Sequence, residues 1–382
     1  VNQSSPIAIF LPSLAGGGAQ RAMLKLAGAI AARDYPVDIV LAQASGPYLE
    51  QVPTRVRLVD LQAGRVLAGM PALMRYLRRE RPAALVGVMM HCNLIATWAR
   101  RLTGLPGALM LTERNTVSLE RSRNRRAKVL PMLARICYPW SDTIVAVSQG
   151  VADDLAATLG LPRERIHVIY NPIITPEFRR KAEEPLNHPW FTPDAPPVVL
   201  GVGRLTEQKD FATLIRAFAT IRRQGPARLL ILGEGEERTA LEQFVAQLGL
   251  TDDVSLPGFV GNPYPYMQRA AVFALSSRWE GLPGVLIEAL YCSPAVVSTD
   301  CPSGPREILA DGRYGRLIPV GDAEALAAAM QTALAAPAKP VPAEACQPFE
   351  QNVVVDQYLE LLLKQYASQS TARCEKYPDG VV

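Results

Sequence analysis

Val198-Val-Leu-Gly-Val202, then Gly203-Arg204-Leu-Thr-Glu-Gln-Lys209-Asp210, then Phe211-Ala-Thr-Leu-Ile-Arg-Ala-Phe218, is the stretch on which the fold turns. Five uncharged, mostly apolar residues in a row are too few for a buried helix and read as a strand covered on both faces. The apolar positions 211, 214, 215 and 218 recur at helical spacing, which predicts a helix from Phe211 to Arg222. Strand, loop and helix in that order open a parallel α/β sheet. The plan recurs downstream, with Arg228–Leu232 ending at Gly233-Glu-Gly235. Further strands are expected at Val254–Leu256, Ala271–Leu275 and Ala295–Ser298.

The first half follows the same plan. Ile7-Ala-Ile-Phe-Leu11 reads as a strand, Gly16-Gly17-Gly18 as a loop, and Met23, Leu24, Leu26 and Ile30 as one helix face. Strands are predicted at Val37–Leu41, Ala84–Met89, Gly107–Leu111 and Thr143–Val147. Between the halves, Asn171–Pro197 holds seven prolines in 27 residues and reads as a linker. The expected architecture is α/β: two Rossmann-like, doubly wound parallel-sheet domains, 1–185 and 186–350, facing a shared cleft. Residues 351–382 add a helix over roughly Asn352–Tyr366 that can cross back to the first domain, with a tail without regular structure from Ser368.

At 382 residues and 49% hydrophobic the chain can fill two cores. No apolar run approaches the ~20 residues of a membrane span. The start, Val1-Asn-Gln-Ser-Ser-Pro6, runs into a strand without a signal-peptide pattern. Six scattered cysteines suit reduced thiols, so the expectation is a cytoplasmic protein, peripheral on the inner face of the cytoplasmic membrane. Three histidines and no Asp-x-Asp leave little to hold a metal, and none is expected.

Charge is unevenly divided. Residues 1–185 carry 24 Lys+Arg against 14 Asp+Glu (+10), the rest 16 against 22 (−6), summing to +4. The basic excess is densest at Arg100, Arg101, Arg114, Arg121, Arg123, Arg125, Arg126, Lys128 and Arg135. With Val129, Leu130, Met132, Leu133 and Ile136 interleaved, it reads either as a basic amphipathic helix for an anionic membrane or as a solvated arginine-rich face. Nucleic acid is not an expected partner, because no binding module or stacking platform accompanies the charge.

Three places supply phosphate-compatible chemistry. Gly16-Gly17-Gly18 lets backbone approach a ligand, although a bare strand-to-helix turn explains it equally well. Arg204 and Lys209, beyond a strand's C-terminal end, can converge on a diphosphate; the other reading is an exposed loop. Glu280-Gly281-Leu282-Pro283-Gly284-Val285 leads into an apolar helix carrying Glu288. Free N–H groups at that helix start favour an anion, and a carboxylate among Val285, Leu286, Ile287 and Ala289 needs a partner, either a ligand hydroxyl or a core cation.

Together these motifs resemble the metal-independent, two-Rossmann-domain (GT-B) nucleotide-sugar transferases of glycosyltransferase family 4, group 1. The resemblance is strongest from Val198 to Asp322: Gly203-Arg204-Leu-x-x-x-Lys209, Leu232-Gly-Glu-Gly-Glu236, Leu256-Pro-Gly-Phe259, Glu280-x7-Glu288 and Pro302–Leu309 stand in the family's order. Thr112-Glu-Arg-Asn115 and Tyr170-Asn-Pro172 are similar to the branch that builds lipid-linked and surface glycans. The resemblance implies a retaining transferase moving a sugar, hexosyl or N-acetylhexosaminyl, from a nucleoside-diphosphate sugar, in the first place a UDP-sugar. The acceptor would be a lipid-linked or surface glycan, and no cofactor is implied.

It further implies that Arg204 and Lys209 hold the leaving diphosphate and that Glu288 binds the ribose. Glu280 and the 281–285 amides would meet the sugar and phosphate, and Gly258 and Phe259 the base. Relatives carry a histidine where this chain has Glu113, and the nearest histidine is His91; either could face the reacting sugar. A nucleotide-sugar epimerase, a non-catalytic nucleotide-sugar binding protein and a pyridoxal-phosphate-dependent phosphorylase are the rival readings.

Overall fold

The computed structural model describes residues 5–15, 17–118, 129–336 and 341–376, with side chains as far as Lys364. The chain forms two compact units. One comprises the residues up to Pro172 and those from Gln351 onward; the other is Ile173–Glu350. The first crossing therefore lies at Pro172/Ile173, ahead of the expected position 185. The reason is local: the Pro176–Ala182 helix, capped by Thr175, buries Phe178 edge-on against Tyr264 and Tyr291 of the second unit. The amides of Ile173 and Ile174 both donate to Phe349 O, at 3.0 Å each. Prolines expected to mark a loose linker thus start helices and turns.

The first unit is a seven-stranded parallel sheet. Its strands are β1 (Ile7–Leu11), β2 (Val37–Leu41), β3 (Val56–Asp60), β4 (Ala84–Val88), β5 (Ala108–Glu113), β6 (Thr143–Ala146) and β7 (Ile166–Val168), in the order β3-β2-β1-β4-β5-β6-β7. The inner strands β1, β2 and β4 are buried at every position, as sheets covered on both faces require. The Gly18–Ala31 helix contributes Met23, Leu26, Ala27 and Ile30 to the core.

The helix from Gln351 supplies Val354, Val355, Tyr358, Leu359 and Leu362 to that same core, and Arg33 pairs with Asp356 at 2.5 Å. This helix continues past Tyr366 to Lys376, so the tail expected from Ser368 is helical for most of its length. The sequence there, Ala367-Ser-Gln-Ser-Thr-Ala-Arg-Cys-Glu-Lys376, contains neither Gly nor Pro to stop a helix.

The second unit is a six-stranded parallel sheet. Its strands are β8 (Val198–Val202), β9 (Arg228–Leu232), β10 (Val254–Gly258), β11 (Val272–Leu275), β12 (Val296–Thr299) and β13 (Arg316–Ile318), in the order β10-β9-β8-β11-β12-β13. Both orders are those of a doubly wound Rossmann sheet, in which the direction of winding reverses beside the first strand. In the second unit the reversal falls between β8 and β11. A crevice therefore opens at their carboxyl ends, where the 203–210 and 276–284 loops emerge.

Candidate active site

The 203–210 loop is fixed by backbone contacts that only glycine permits. Gly203 N donates to Leu232 O (3.0 Å) and Leu205 N to Glu234 O (2.9 Å). A Cβ on Gly233, whose φ is +152°, would lie 1.8 Å from Gly203 O, and one on Gly235 2.2 Å from Leu205 O. The glycines of the Leu232-Gly-Glu-Gly motif thus press β9's end against the loop that carries Arg204 and Lys209. Asp210 closes the loop in a left-handed conformation (φ 46°), caps the next helix at Thr213 N and accepts from Arg278 Nε at 3.0 Å.

The two cations of this loop differ. Arg204 is exposed, and among the described residues no carboxylate pairs with it. Lys209 Nζ donates to Glu280 Oε1 at 2.5 Å, with side-chain exposures of 14% and 8%. Ser277 Oγ donates to the same oxygen at 2.7 Å. Gln208 Nε2 reaches Trp279 O at 2.9 Å and Glu280 Oε2 at 3.4 Å. Residues 71 positions apart are thereby locked together, and Glu280 is held at both oxygens. Neither Gln208 nor Ser277 was singled out from the sequence, although both stand inside the quoted motifs.

Beyond Glu280 the chain turns into the Gly284–Cys292 helix, with Pro283 as its cap (φ −69°, ψ 95°). The Pro283 carbonyl accepts from Leu286 N at 2.9 Å. The amides of Gly284 and Val285 have no protein acceptor among the described residues. They and the helix dipole offer an anion site at the crevice. Gly304 (φ +95°) packs beneath the turn, where a Cβ would meet Pro283 Cδ at 2.5 Å. Glu288, 8% exposed, accepts from Tyr264 OH at 3.1 Å. Its partner is a neutral hydroxyl, and among the described residues no cation pairs with Glu288, which removes the core-cation reading.

β10 ends at Leu256-Pro257-Gly258, where its register to β9 shifts and Gly258 adopts φ +101°. A proline and an irregularity are tolerated because β10 is an edge strand. Phe259 follows with 80% of its surface exposed.

The remaining candidates belong to the first unit. Gly17 (φ +125°) and Gly18 start its first helix, while Gly16 lies outside the described residues. His91 stands in the first turn of the Met90–Thr103 helix, after Met89 at φ 71°. A methionine there is an uncommon, strained backbone. Burial holds the His91 imidazole below its ordinary pKa. Glu113 is 3% exposed at the end of β5 and receives Asn93 Nδ2 at 2.8 Å and Tyr138 OH at close range. Burial and the Glu113 charge together push the Tyr138 hydroxyl well up.

Arg114, counted from the sequence with the basic surface, is instead 4% exposed. It donates to Asn171 Oδ1, to Tyr358 OH at 3.0 Å and to Met23 Sδ at 3.3 Å. The Thr112–Asn115 and Tyr170–Pro172 motifs therefore meet through one buried guanidinium. Arg121, Arg123, Arg125, Arg126 and Lys128 lie outside the described residues. Among the described residues no His, Cys, Asp and Glu side chains group to hold a metal, and no helix is long and apolar enough to cross a membrane.

Comparison with known proteins adds to this geometry. The family Glycosyl transferases group 1 matches residues 184–352 and Glycosyltransferase Family 4 matches residues 16–177. A Campylobacter jejuni N-acetylgalactosamine-N,N'-diacetylbacillosaminyl-diphospho-undecaprenol 4-alpha-N-acetylgalactosaminyltransferase is 35% identical over 243 residues, 63% of this chain and 64% of that one. The chain thus spans somewhat less than two thirds of that relative's length. The lipopolysaccharide core biosynthesis glycosyltransferase LpsE of Rhizobium meliloti is 28% identical, covering 84% of this chain and 86% of its own. Among solved structures, HepE of Anabaena in complex with UDP and glucose superposes with a TM-score of 0.75 at 23% identity, over 93% of this chain and 98% of that one. That likeness speaks for the fold.

Proposed function

Since this chain belongs to the family 4, group 1 glycosyltransferases of GT-B fold, we propose that it moves a sugar from a nucleoside-diphosphate sugar, with UDP as the nucleotide, to a glycan built on a lipid carrier. The observation that carries this is the second unit's crevice. It combines an Arg204 without a carboxylate partner among the described residues, the clamped Lys209–Glu280 pair and two amides at a helix start that have no acceptor among those residues. Such a set favours a diphosphate without a divalent ion, because guanidinium, ammonium and aligned N–H groups provide its counter-charge.

As the donor's anomeric C–O bond breaks, negative charge grows on the departing diphosphate. Arg204 meets that charge directly. Lys209 is shared between the phosphate and Glu280, and Glu280 stays in place through Ser277 and Gln208. Stabilisation that strengthens toward the transition state raises turnover rather than affinity. The acceptor hydroxyl attacks the face the diphosphate leaves and loses its proton to a diphosphate oxygen, which retains the anomeric configuration. Glu288, anchored by Tyr264, takes the ribose hydroxyls, and the bulged edge at Gly258–Phe259 meets the base. A lipid-linked acceptor is supported by the undecaprenol-linked glycan in the name of the Campylobacter relative and the lipopolysaccharide core in that of the Rhizobium one. The transferred sugar is a hexose or an N-acetylhexosamine.

The test is a thermal-shift panel of UDP-, GDP- and ADP-sugars in excess EDTA, followed by mass analysis of a lipid-linked glycan incubated with the stabilising donor. A donor at 100 times its Kd adds about 2.7 kcal/mol of stability. The expected product is heavier by one sugar, with free UDP. A mass-neutral change in the donor would make the protein an epimerase, and binding without any transfer a sensor.

A further inference from the structure

We propose that Arg238 is the positioning residue of the nucleotide-base subsite: its guanidinium splints the bulged end of β10 and so fixes Gly258 and Phe259 before a nucleotide arrives. The inference rests on the donor-binding reading above and extends it to a residue outside the motifs that bind phosphate and ribose.

The need for a splint follows from how β10 pairs with β9. Ser255 lies opposite Leu230, but the next pair is Gly258 with Leu232, so β10 advances three residues where β9 advances two. The extra residue makes a bulge, which breaks the ladder locally. Pro257 has no N–H with which to mend it, and β10 is the edge of its sheet, with no strand on its far side. The ladder resumes at Gly258, whose carbonyl accepts from Gly233 N at 2.9 Å. Phe259 then projects with 80% of its surface exposed. A base met largely by backbone groups needs those groups fixed in advance, because freedom lost on binding weakens affinity.

Arg238, the first residue of the Arg238–Gln247 helix, supplies what the ladder lacks. Its Nη1 donates to Leu256 O, inside the bulge, at 3.0 Å, and its Nη2 reaches Gly233 O at 3.4 Å. One planar group thus bridges the ends of both strands. Two carboxylates keep it there. Nε and Nη2 hold the two oxygens of Glu234 at 2.8 Å each, and Nη1 meets Glu242 Oε1 at 2.8 Å. The Glu234 end of this fork lies directly against Gly258, where a Cβ would meet Glu234 Oε1 at 2.8 Å and Arg238 Nη2 at 3.6 Å. Surface ion pairs at i,i+4, such as Arg238 makes with Glu234 and Glu242, contribute little by themselves. They do not explain a guanidinium turned onto two strand-end carbonyls. A guanidinium can hold a carboxylate and both carbonyls at once through its rigid fork, whereas an ammonium is a single point charge.

The test is calorimetric titration of UDP, GDP, ADP and inorganic pyrophosphate into the full chain, as wild type, Arg238→Ala, Arg238→Lys and Glu242→Ala. Pyrophosphate carries no base, so it reports the Arg204 and Lys209 side of the site alone. Wild type should bind UDP more tightly than GDP or ADP. Arg238→Ala should weaken UDP about tenfold and narrow its lead over GDP and ADP, while pyrophosphate affinity stays within about twofold. Arg238→Lys should behave like Arg238→Ala, because a lysine cannot span both strand ends. Glu242→Ala removes one surface pair, leaves the strand contacts and should match wild type. Melting temperatures should stay within about 2 °C of one another.

An unchanged ratio of UDP to pyrophosphate affinity in Arg238→Ala overturns the proposal. So does an equal loss for both probes, which would mark general damage to the unit, and so does full recovery in Arg238→Lys, since charge alone would then suffice. Wild type that binds pyrophosphate but no nucleotide removes the functional reading itself. Nucleotide binding that survives Arg238→Ala intact removes this inference alone.

Discussion

The two units share a strand order but treat charge at their carboxyl-end loops in opposite ways. In the second, Arg204 is exposed and, among the described residues, has no carboxylate partner, the Gly284 and Val285 amides likewise have no protein acceptor there, and Lys209 and Glu280 hold each other at the crevice. In the first, Glu113 and Arg114, at the end of β5, are turned inward onto Asn93 and Tyr138, and onto Asn171 and Tyr358. Winding reversal makes a crevice in any such sheet. By the function proposed above it serves a diphosphate where cations and amides remain available to a ligand, and at the end of β5 it is a joint of buried groups bonded largely to one another, with Asn93 Oδ1 and Arg114 Nε left without a partner among the described residues.

The strongest way to break this contrast is to remove the two cations separately. Arg204→Ala should cut turnover about a hundredfold or more with little change in melting temperature, since it has no protein partner to abandon. Lys209→Ala should lose turnover comparably and also about 2 kcal/mol of stability, because Glu280 stays buried without its cation. Wild-type kinetics in Arg204→Ala, or equal stability loss in both variants, would erase the distinction between unpaired and paired charge. Calorimetric titration checks the next largest effect: Glu288→Ala should weaken nucleotide binding about tenfold to a hundredfold while leaving turnover at saturation nearer wild type.

Two smaller effects probe the first unit. Glu113→Gln removes the charge that Asn93 and Tyr138 surround, so denaturant melts should show about 1–3 kcal/mol of lost stability. A variant as stable as wild type would mean that the buried cluster is not a joint. His91 is held below its ordinary pKa by burial, so the folded state binds fewer protons than the unfolded chain. The stability this gives is full above about pH 6.5 and falls as the pH drops below it. His91→Asn should flatten that acid limb slightly, with the remainder left to groups such as His188, also shifted down by burial.

What the sequence revealed follows burial. Inner strands such as Val198–Val202 and Ile7–Leu11 are continuous apolar runs because both their faces are covered, and they were legible. Val56–Asp60, Ile166–Val168 and Arg316–Ile318 were not, and all three are sheet edges carrying Arg, His or Asp. Edge strands face water and can lose the pattern that marks the others; of the four edges, Val254–Gly258 alone was legible. The residues proposed to bind the donor were legible as motifs because each lies on one short stretch. Their pairing was not: that Lys209 binds Glu280, that Ser277 and Gln208 steady it, and that Tyr264 meets Glu288 are contacts made only by the folded sheet. Arg114 misled for the same reason, since an arginine in a basic stretch gives no sign that Tyr358, far along the chain, buries it.

The most direct test is a crystal structure of this chain grown with UDP in the presence of EDTA. The account predicts the diphosphate within hydrogen-bond distance of Arg204, Lys209 and the Gly284–Val285 amides, with the ribose on Glu288 and no metal ion between. UDP seated instead at the Gly17–Gly18 turn of the first unit, or bound to neither Arg204 nor Glu288, would contradict it.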